Sequence, residues 1–161
     1  MPFDKERDAL RFEVEKSIRY HGRMAGRYRA IHRVLMFLTI VSGSAAFGNY
    51  SSTSPFLGLS AAVIAAFVLV YAPGDTAAKH RNLRNRFSDL EISMEVEHDA
   101  DLSLLKEKRF RIEQDEPPVF WALESDCYNE VCLAWGRDKG FTKIPRWQRL
   151  TMYLLRHERV S

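Results

Sequence analysis

The stretch VLMFLTIVSGSAAFGNYSSTSPFLGLSAAVIAAFVLVYAPG, residues 34–74, runs for 41 residues without an Asp, Glu, Lys or Arg. All 24 basic and 21 acidic residues of the 161-residue chain lie outside it. A helix in a water-soluble bundle keeps one polar face, so charge is normally spread over every helix. Neither half of this stretch has such a face. The mean hydropathy of −0.29 averages two unlike regions and conceals the division.

The run is too long for one membrane span and suits two. Its natural break is GNYSSTSPF, residues 48–56, which is dense in turn residues. The expected spans are residues 34–50 and 56–72, each about 17 residues and so near the short end for a spanning helix. The alternative is a buried helical hairpin in a soluble protein. Lys16, Arg19, Arg23, Arg27, Arg29 and Arg33 precede the first span, and Lys79, Arg81, Arg84 and Arg86 follow the second. The intervening loop has no Lys or Arg, so the positive-inside rule places both termini in the cytosol and Asn49–Ser54 outside. The sequon NYS at 49–51 lies too close to the membrane to signify glycosylation.

Small residues recur four apart: Ser42 and Ala46 in the first span, Gly58, Ala62 and Ala66 in the second. Such spacing lets helices approach closely in lipid, either within one hairpin or between hairpins of an oligomer. Two helices cannot enclose a water path, so a channel requires several chains. Its candidate lining is Thr39, Ser42 and Ser44, with Asn49 at the outer mouth. The competing reading is that these hydroxyls bond back to their own helix carbonyls.

The flanks read as helices. Asp4 is a candidate N-cap, and Tyr20, Met24, Tyr28, Ile31, Leu35 and Leu38 form a stripe that enters the first span without a proline. Gly22 and Gly26 form a GxxxG; glycine is costly inside a helix, which points to close approach of another backbone, or to a harmless pair. After Pro73-Gly74 a long helix, capped by Asp75 or Thr76, is expected to reach about Gln114. Its seam of Leu83, Phe87, Leu90 and Met94 is a candidate interface. The seam falters at EVEHDAD, residues 95–101, where Glu95, Asp99 and Asp101 do not share a face with His98, so a solvated face is expected there and not a metal site. DEPP at 115–118 breaks the helix, and Pro118 is expected in the first turn of the next one. That helix carries Phe120, Leu123, Cys127, Val131 and Ala134, and ends at Trp135-Gly136. A linker, RDKGFTKI, leads to Pro145 and a last helix with Trp147, Leu150, Leu154 and Leu155. No segment alternates like a strand. The expectation is an all-α integral membrane protein. Residues 1–115 form the hairpin with its cytosolic extensions, and residues 116–161 a C-terminal helical segment.

There is no P-loop, GxSxG, HExxH or CxxC, so neither an enzyme nor a cofactor nor a metal is expected. His21, His32, His80, His98 and His157 are scattered along the chain. Cys127 lies on the apolar face of its helix and reads as a buried thiol, against the alternative of a Cys–His nucleophile pair. Cys127 and Cys132, five apart on one helix, point away from each other and read as reduced thiols. The charged N-terminus MPFDKERDALRFEVEKSIRY lacks an apolar core, so no signal peptide is expected. The basic residues sit where anionic headgroups would lie, which explains them without nucleic acid.

Two stretches carry a resemblance: YHGRMAGRYRAIHRVLMFLTIVSGSAAF at 20–47, and ESDCYNEVCLAWG at 124–136 with its Asn129-Glu130 pair, followed by WQRL at 147–150. With the layout of basic helix, tight hairpin, long helix and C-terminal helices, nearly the whole chain resembles the SLATT family, the SMODS and SLOG-associating two-TM effectors of bacteria. The resemblance implies an effector in the inner membrane that oligomerises and damages that membrane to stop phage growth. It also implies a trigger from a neighbouring gene, either a sensor protein or a nucleotide second messenger, since no sensor domain is expected within the chain. The alternative is a membrane-anchored scaffold that recruits a cytosolic partner, with Leu83–Met94, Asn129 and Glu130 as candidate contacts and no pore.

Overall fold

A computed structural model describes residues 2–46, 54–96, 101–137, 140–145 and 148. Among these residues the chain is all-helical. The elements are α1 (Pro2–Ala46), α2 (Ser54–Tyr71), α3 (Pro73–Val96), α4 (Leu102–Glu113) and α5 (Trp121–Ala134). The described residues fall into two compact units, 2–24 with 80–148, and 25–79. The unit boundary therefore falls inside α1 and inside α3.

In the first unit, α1 and α3 run antiparallel. Arg7 donates to the Met94 carbonyl and Arg11 pairs with Glu95 near one end, while His21 meets His80 near the other. On α3, His80, Leu83, Phe87, Leu90 and Met94 follow one another by 3 or 4 residues and are all buried. With Leu10 and Val14 of α1 and Leu102, Leu105 and Ile112 of α4, the four apolar members form the main core. The expected long helix to Gln114 is thus two helices. Residues 97–100, which include His98 and Asp99, lie outside the described residues. Beyond them Asp101 caps α4, its carboxylate accepting from the Ser103 N–H and hydroxyl. Those bonds stabilise the ionised form and hold the Asp101 carboxyl below its ordinary range. α4 returns antiparallel along α3, with Arg86 reaching Asp115.

α5 covers the opposite side of α1. Phe12 packs edge-on against Tyr128 and Trp135, above Val131 and Cys132. α5 stops in a Schellman arrangement: the Gly136 N–H donates to Leu133 and the Arg137 N–H to Cys132, with Gly136 left-handed at φ 64°. Two boundaries differ from the sequence expectation. α1 begins at Pro2, which puts Asp4 inside the first turn and not at the cap. α5 begins at Trp121, because Pro117 and Pro118 keep residues 116–120 outside helix.

In the second unit, α2 and α3 are separated by a single residue. The Ala72 N–H closes α2 on Val68, and its carbonyl receives the first N–H groups of α3, from Asp75 and Thr76. Pro73 at the first position of α3 has no N–H to satisfy. The joint holds Ala72 at φ 40°, a left-handed value that disfavours a Cβ. Close packing continues into the first turn of α3, where a Cβ on Gly74 would come within 3.4 Å of the His32 ring. Trp147, Leu150, Leu154 and Leu155 of the expected last helix, and the WQRL stretch except Gln148, lie outside the described residues.

Two substitutions at left-handed positions should act in opposite directions. Ala72→Gly should stabilise the protein by about 1 kcal/mol, and Gly136→Ala should destabilise it by about the same amount. Denaturant unfolding of the detergent-solubilised chain, followed by circular dichroism, measures both.

Candidate functional site

The most unusual polar group in the fold is a buried histidine pair. His21 sits on the α1 face that continues Leu10 and Val14, and His80 continues the α3 seam. They are 1% and 2% exposed. Their Nδ1 atoms are 2.9 Å apart, and His21 Nε2 lies 3.0 Å from Glu116 Oε1. The His21 ring stacks on Phe87 at 5.6 Å with an interplanar angle of 12°. Tyr20 presents an edge to both imidazoles, and its hydroxyl accepts from the Phe120 N–H at 2.8 Å. That bond and the two prolines hold the segment carrying Glu116 against α1.

The geometry limits the protons. An Nδ1···Nδ1 hydrogen bond needs one N–H and one lone pair. With Glu116 ionised, His21 Nε2 carries a proton and donates it. Both His21 nitrogens are then committed within the protein. Beside Glu116 lies a cavity of about 180 Å³, bordered by Lys16, Tyr20, Arg109, Glu113 and Glu124. Among the described residues no group of three His, Cys, Asp or Glu side chains is arranged to hold a metal ion.

A second polar seam joins α1 to α5. Arg23 bridges Asp126 at 2.8 Å and Glu130 at 2.5 Å, and its Nη1 lies 3.9 Å from the Cys127 sulfur. Burial works against the Arg23 charge, yet Glu130, Cys127 and Asp126 outweigh it and hold the guanidinium above its ordinary value. Lys16 behaves likewise, with burial opposed by Glu13 and Glu124 and a net upward shift. The Trp135 indole donates to Glu15 at 2.7 Å. Cys127 and Cys132 are both buried and neither is in a disulfide.

The residues singled out in the sequence are dispersed. Leu83, Phe87, Leu90 and Met94 lie in the core, 0–5% exposed, so the seam is closed by the chain's own α1 and α4 and offers a partner no surface. Asn129 and Glu130 also have internal partners. Asn129 forms two hydrogen bonds with the Thr142 backbone, at 2.9 and 2.8 Å, tying residues 140–145 to α5. Glu130 holds Arg23. Among the described residues neither glycine of GxxxG meets a second backbone: Gly22 faces the Arg84 side chain, and Gly26 has nothing within 4 Å of a Cβ. Thr39 is half-covered and its hydroxyl donates to the Leu35 carbonyl at 2.9 Å, the back-bonded alternative raised above. Ser42 and Gly58 are half-covered, and Ser44, Ala62 and Ala66 are exposed. Asn49 lies outside the described residues. The His21–His80 pairing was missed, although both residues occupy seam positions, which was the available signal.

Asn129→Ala removes both bonds to Thr142 and should destabilise the protein by about 1–3 kcal/mol. Asn129→Asp keeps the acceptor for the Thr142 N–H and should fall between wild type and alanine. Thermal melts of the three proteins give the order.

No protein-family model, curated protein or solved structure matches the chain.

Proposed function

We propose that the chain is a membrane effector that places a two-helix hairpin, residues 34–50 and 56–72, in the bacterial inner membrane with both termini in the cytosol. Once triggered, it assembles and permeabilises or depolarises that membrane. The observation that carries the reading is the uncovered apolar surface of α2. The run Pro55–Val96 holds an 18-residue window of mean hydropathy 2.2, none of it buried. Leu69 and Val70 are 82% and 77% exposed. Water disfavours a continuous apolar surface of this kind, and lipid accepts it. At 1.5 Å per residue the 18 residues of α2 extend about 27 Å, close to the hydrocarbon thickness of a bilayer.

Two features support the hairpin. On α1, Val34, Phe37 and Ile40 are exposed, like the apolar residues of α2. The half-covered positions follow helix-pair spacing, Leu35, Thr39 and Ser42 on α1 and Leu57, Ala61, Ile64 and Val68 on α2. The basic flanks set the orientation by the positive-inside rule. Exposed Ala62 and Ala66 leave a small-residue face for a second copy; of the candidate lining, exposed Ser44 and Asn49 at the outer mouth would face a path made by several copies, while Thr39 and Ser42 lie on the side of α1 turned to α2 and would border it. The trigger, a sensor protein or nucleotide second messenger, and the role in defence rest on the resemblance to SLATT effectors. The reading requires no catalysis. The scaffold alternative is weakened because its recruiting seam is internal.

A reporter active only in the periplasm should be silent when fused after Ser161 and active when inserted at Ser52. Induced expression with a potential-sensitive dye should report depolarisation; a scaffold would leave the potential intact. Ala62→Leu should weaken the oligomer, seen by crosslinking in detergent, while the protein still inserts. An unchanged crosslinking pattern would remove that face from the assembly.

A further inference from the structure

The second unit holds charge that it cannot neutralise. Residues 25–79 contain Arg27, Arg29, Arg33 and Lys79 but one carboxylate, Asp75. In the first unit Lys16, Arg19, Arg23, Arg86 and Arg109 each hold a carboxylate. Among the described residues Arg29, Arg33 and Lys79 meet none, and Asp75 meets no cation. Two polar atoms also lack partners here: Arg29 Nε and His32 Nδ1 are both covered and have no hydrogen bond. They lie three residues apart on α1 and so share a face. The His32 ring rests on the first turn of α3, so close to Gly74 that a Cβ there would come within 3.4 Å. That contact sets His32 level with Gly74. It thereby aligns the end of charge on α1, between Arg33 and Val34, with the end of α2 at Tyr71.

We propose that Arg29 and His32 form a seat for the phosphate of an anionic phospholipid in the cytosolic leaflet. A phosphate needs N–H donors beside an uncompensated positive charge, and its oxygens accept from both side chains. The guanidinium turns its Nε edge toward the phosphate, and the imidazole presents Nδ1–H. Each donor that is unmet in the empty seat thereby gains an acceptor. A soluble phosphate would satisfy the same donors. The lipid is favoured by what lies beside them: Val34 and Phe37, one and four residues beyond Arg33, are exposed and offer acyl chains an apolar track. Exposed Arg33 adds a further charge at the rim, which selects a net negative headgroup over a zwitterionic one. Because the His32 ring rests on Gly74, the seated lipid ties α1 to the joint between α2 and α3. The seat presupposes the membrane reading. It differs from the general attraction of basic flanks to a leaflet in being confined to two side chains.

The test titrates the full chain in detergent with phosphatidylglycerol or phosphatidylcholine and counts bound lipid by native mass spectrometry. The wild type should bind phosphatidylglycerol the more tightly. Arg29→Gln should weaken that binding by at least about tenfold, the loss expected for a charge-assisted hydrogen bond. Lys79→Gln removes the same charge from an exposed position and should change it by at most about fivefold. Equal binding of the two lipids by the wild type, or an equal loss in Arg29→Gln and Lys79→Gln, would overturn the seat. Should Arg29→Gln fail to fold, the comparison of the two lipids on the wild type decides alone. Displacement of bound phosphatidylglycerol by inorganic phosphate at comparable concentration would assign the donors to a soluble phosphate and overturn the lipid. Alkaline carbonate extraction of the chain from vesicles separates the two possible failures. A chain that is released was never inserted, and the membrane reading falls together with the seat. A chain that is retained but shows no preference between the lipids loses the seat alone.

Discussion

The first unit depends on α1 being buried on two sides at once. Leu10 and Val14 face α3 and α4, while Phe12, two residues from each, faces α5. A helix so enclosed has little wet surface, so its polar side chains must find partners within the protein. Glu15 receives the Trp135 indole, Lys16 sits between Glu13 and Glu124, and Arg23 lies between Asp126 and Glu130. His21 is the most enclosed of these, and its partners come from α3 and from the segment after α4. Each pairing offsets a desolvation cost that an unpaired group would impose in full. The charged side chains of this unit are therefore part of its packing.

The same helix changes character along its length. Leu10, Phe12, Val14, Tyr20 and Met24 are covered by protein; from Val34 onward several apolar side chains are bare. Composition marks the change, because the last charge before the apolar run is Arg33. Coverage of the apolar side chains, and not helix propensity, is what distinguishes the two ends of α1.

The parts of the fold that were legible in sequence are those fixed by local chemistry. The apolar α2, the seam of α3, the break after Gln114 and the stop at Trp135-Gly136 each follow from residue type and spacing. What the sequence did not reveal depends on register between helices. The periodicity of Leu83–Met94 showed that a face was buried but not that α1 and α4 of the same chain bury it. His21 and His80 are 59 residues apart, and only the antiparallel alignment of α1 and α3 brings them level. The Asn129 partner was hidden for a different reason: it is a backbone group, Thr142, which leaves no trace in side-chain patterning. The division between α3 and α4 was visible as a weakening of the seam, yet helix-compatible residues on both sides concealed the break.

The single-residue joint at Ala72 has a mechanical meaning. A flexible linker absorbs rotation in many soft dihedrals, whereas one residue offers a single φ, ψ pair. Here φ is already strained, the next φ is locked by the Pro73 ring, and the Ala72 N–H and carbonyl are both held by flanking helix. α2 and the start of α3 therefore behave as a bent shaft with no free play. Torque applied to α2 about its own axis arrives at the first turn of α3.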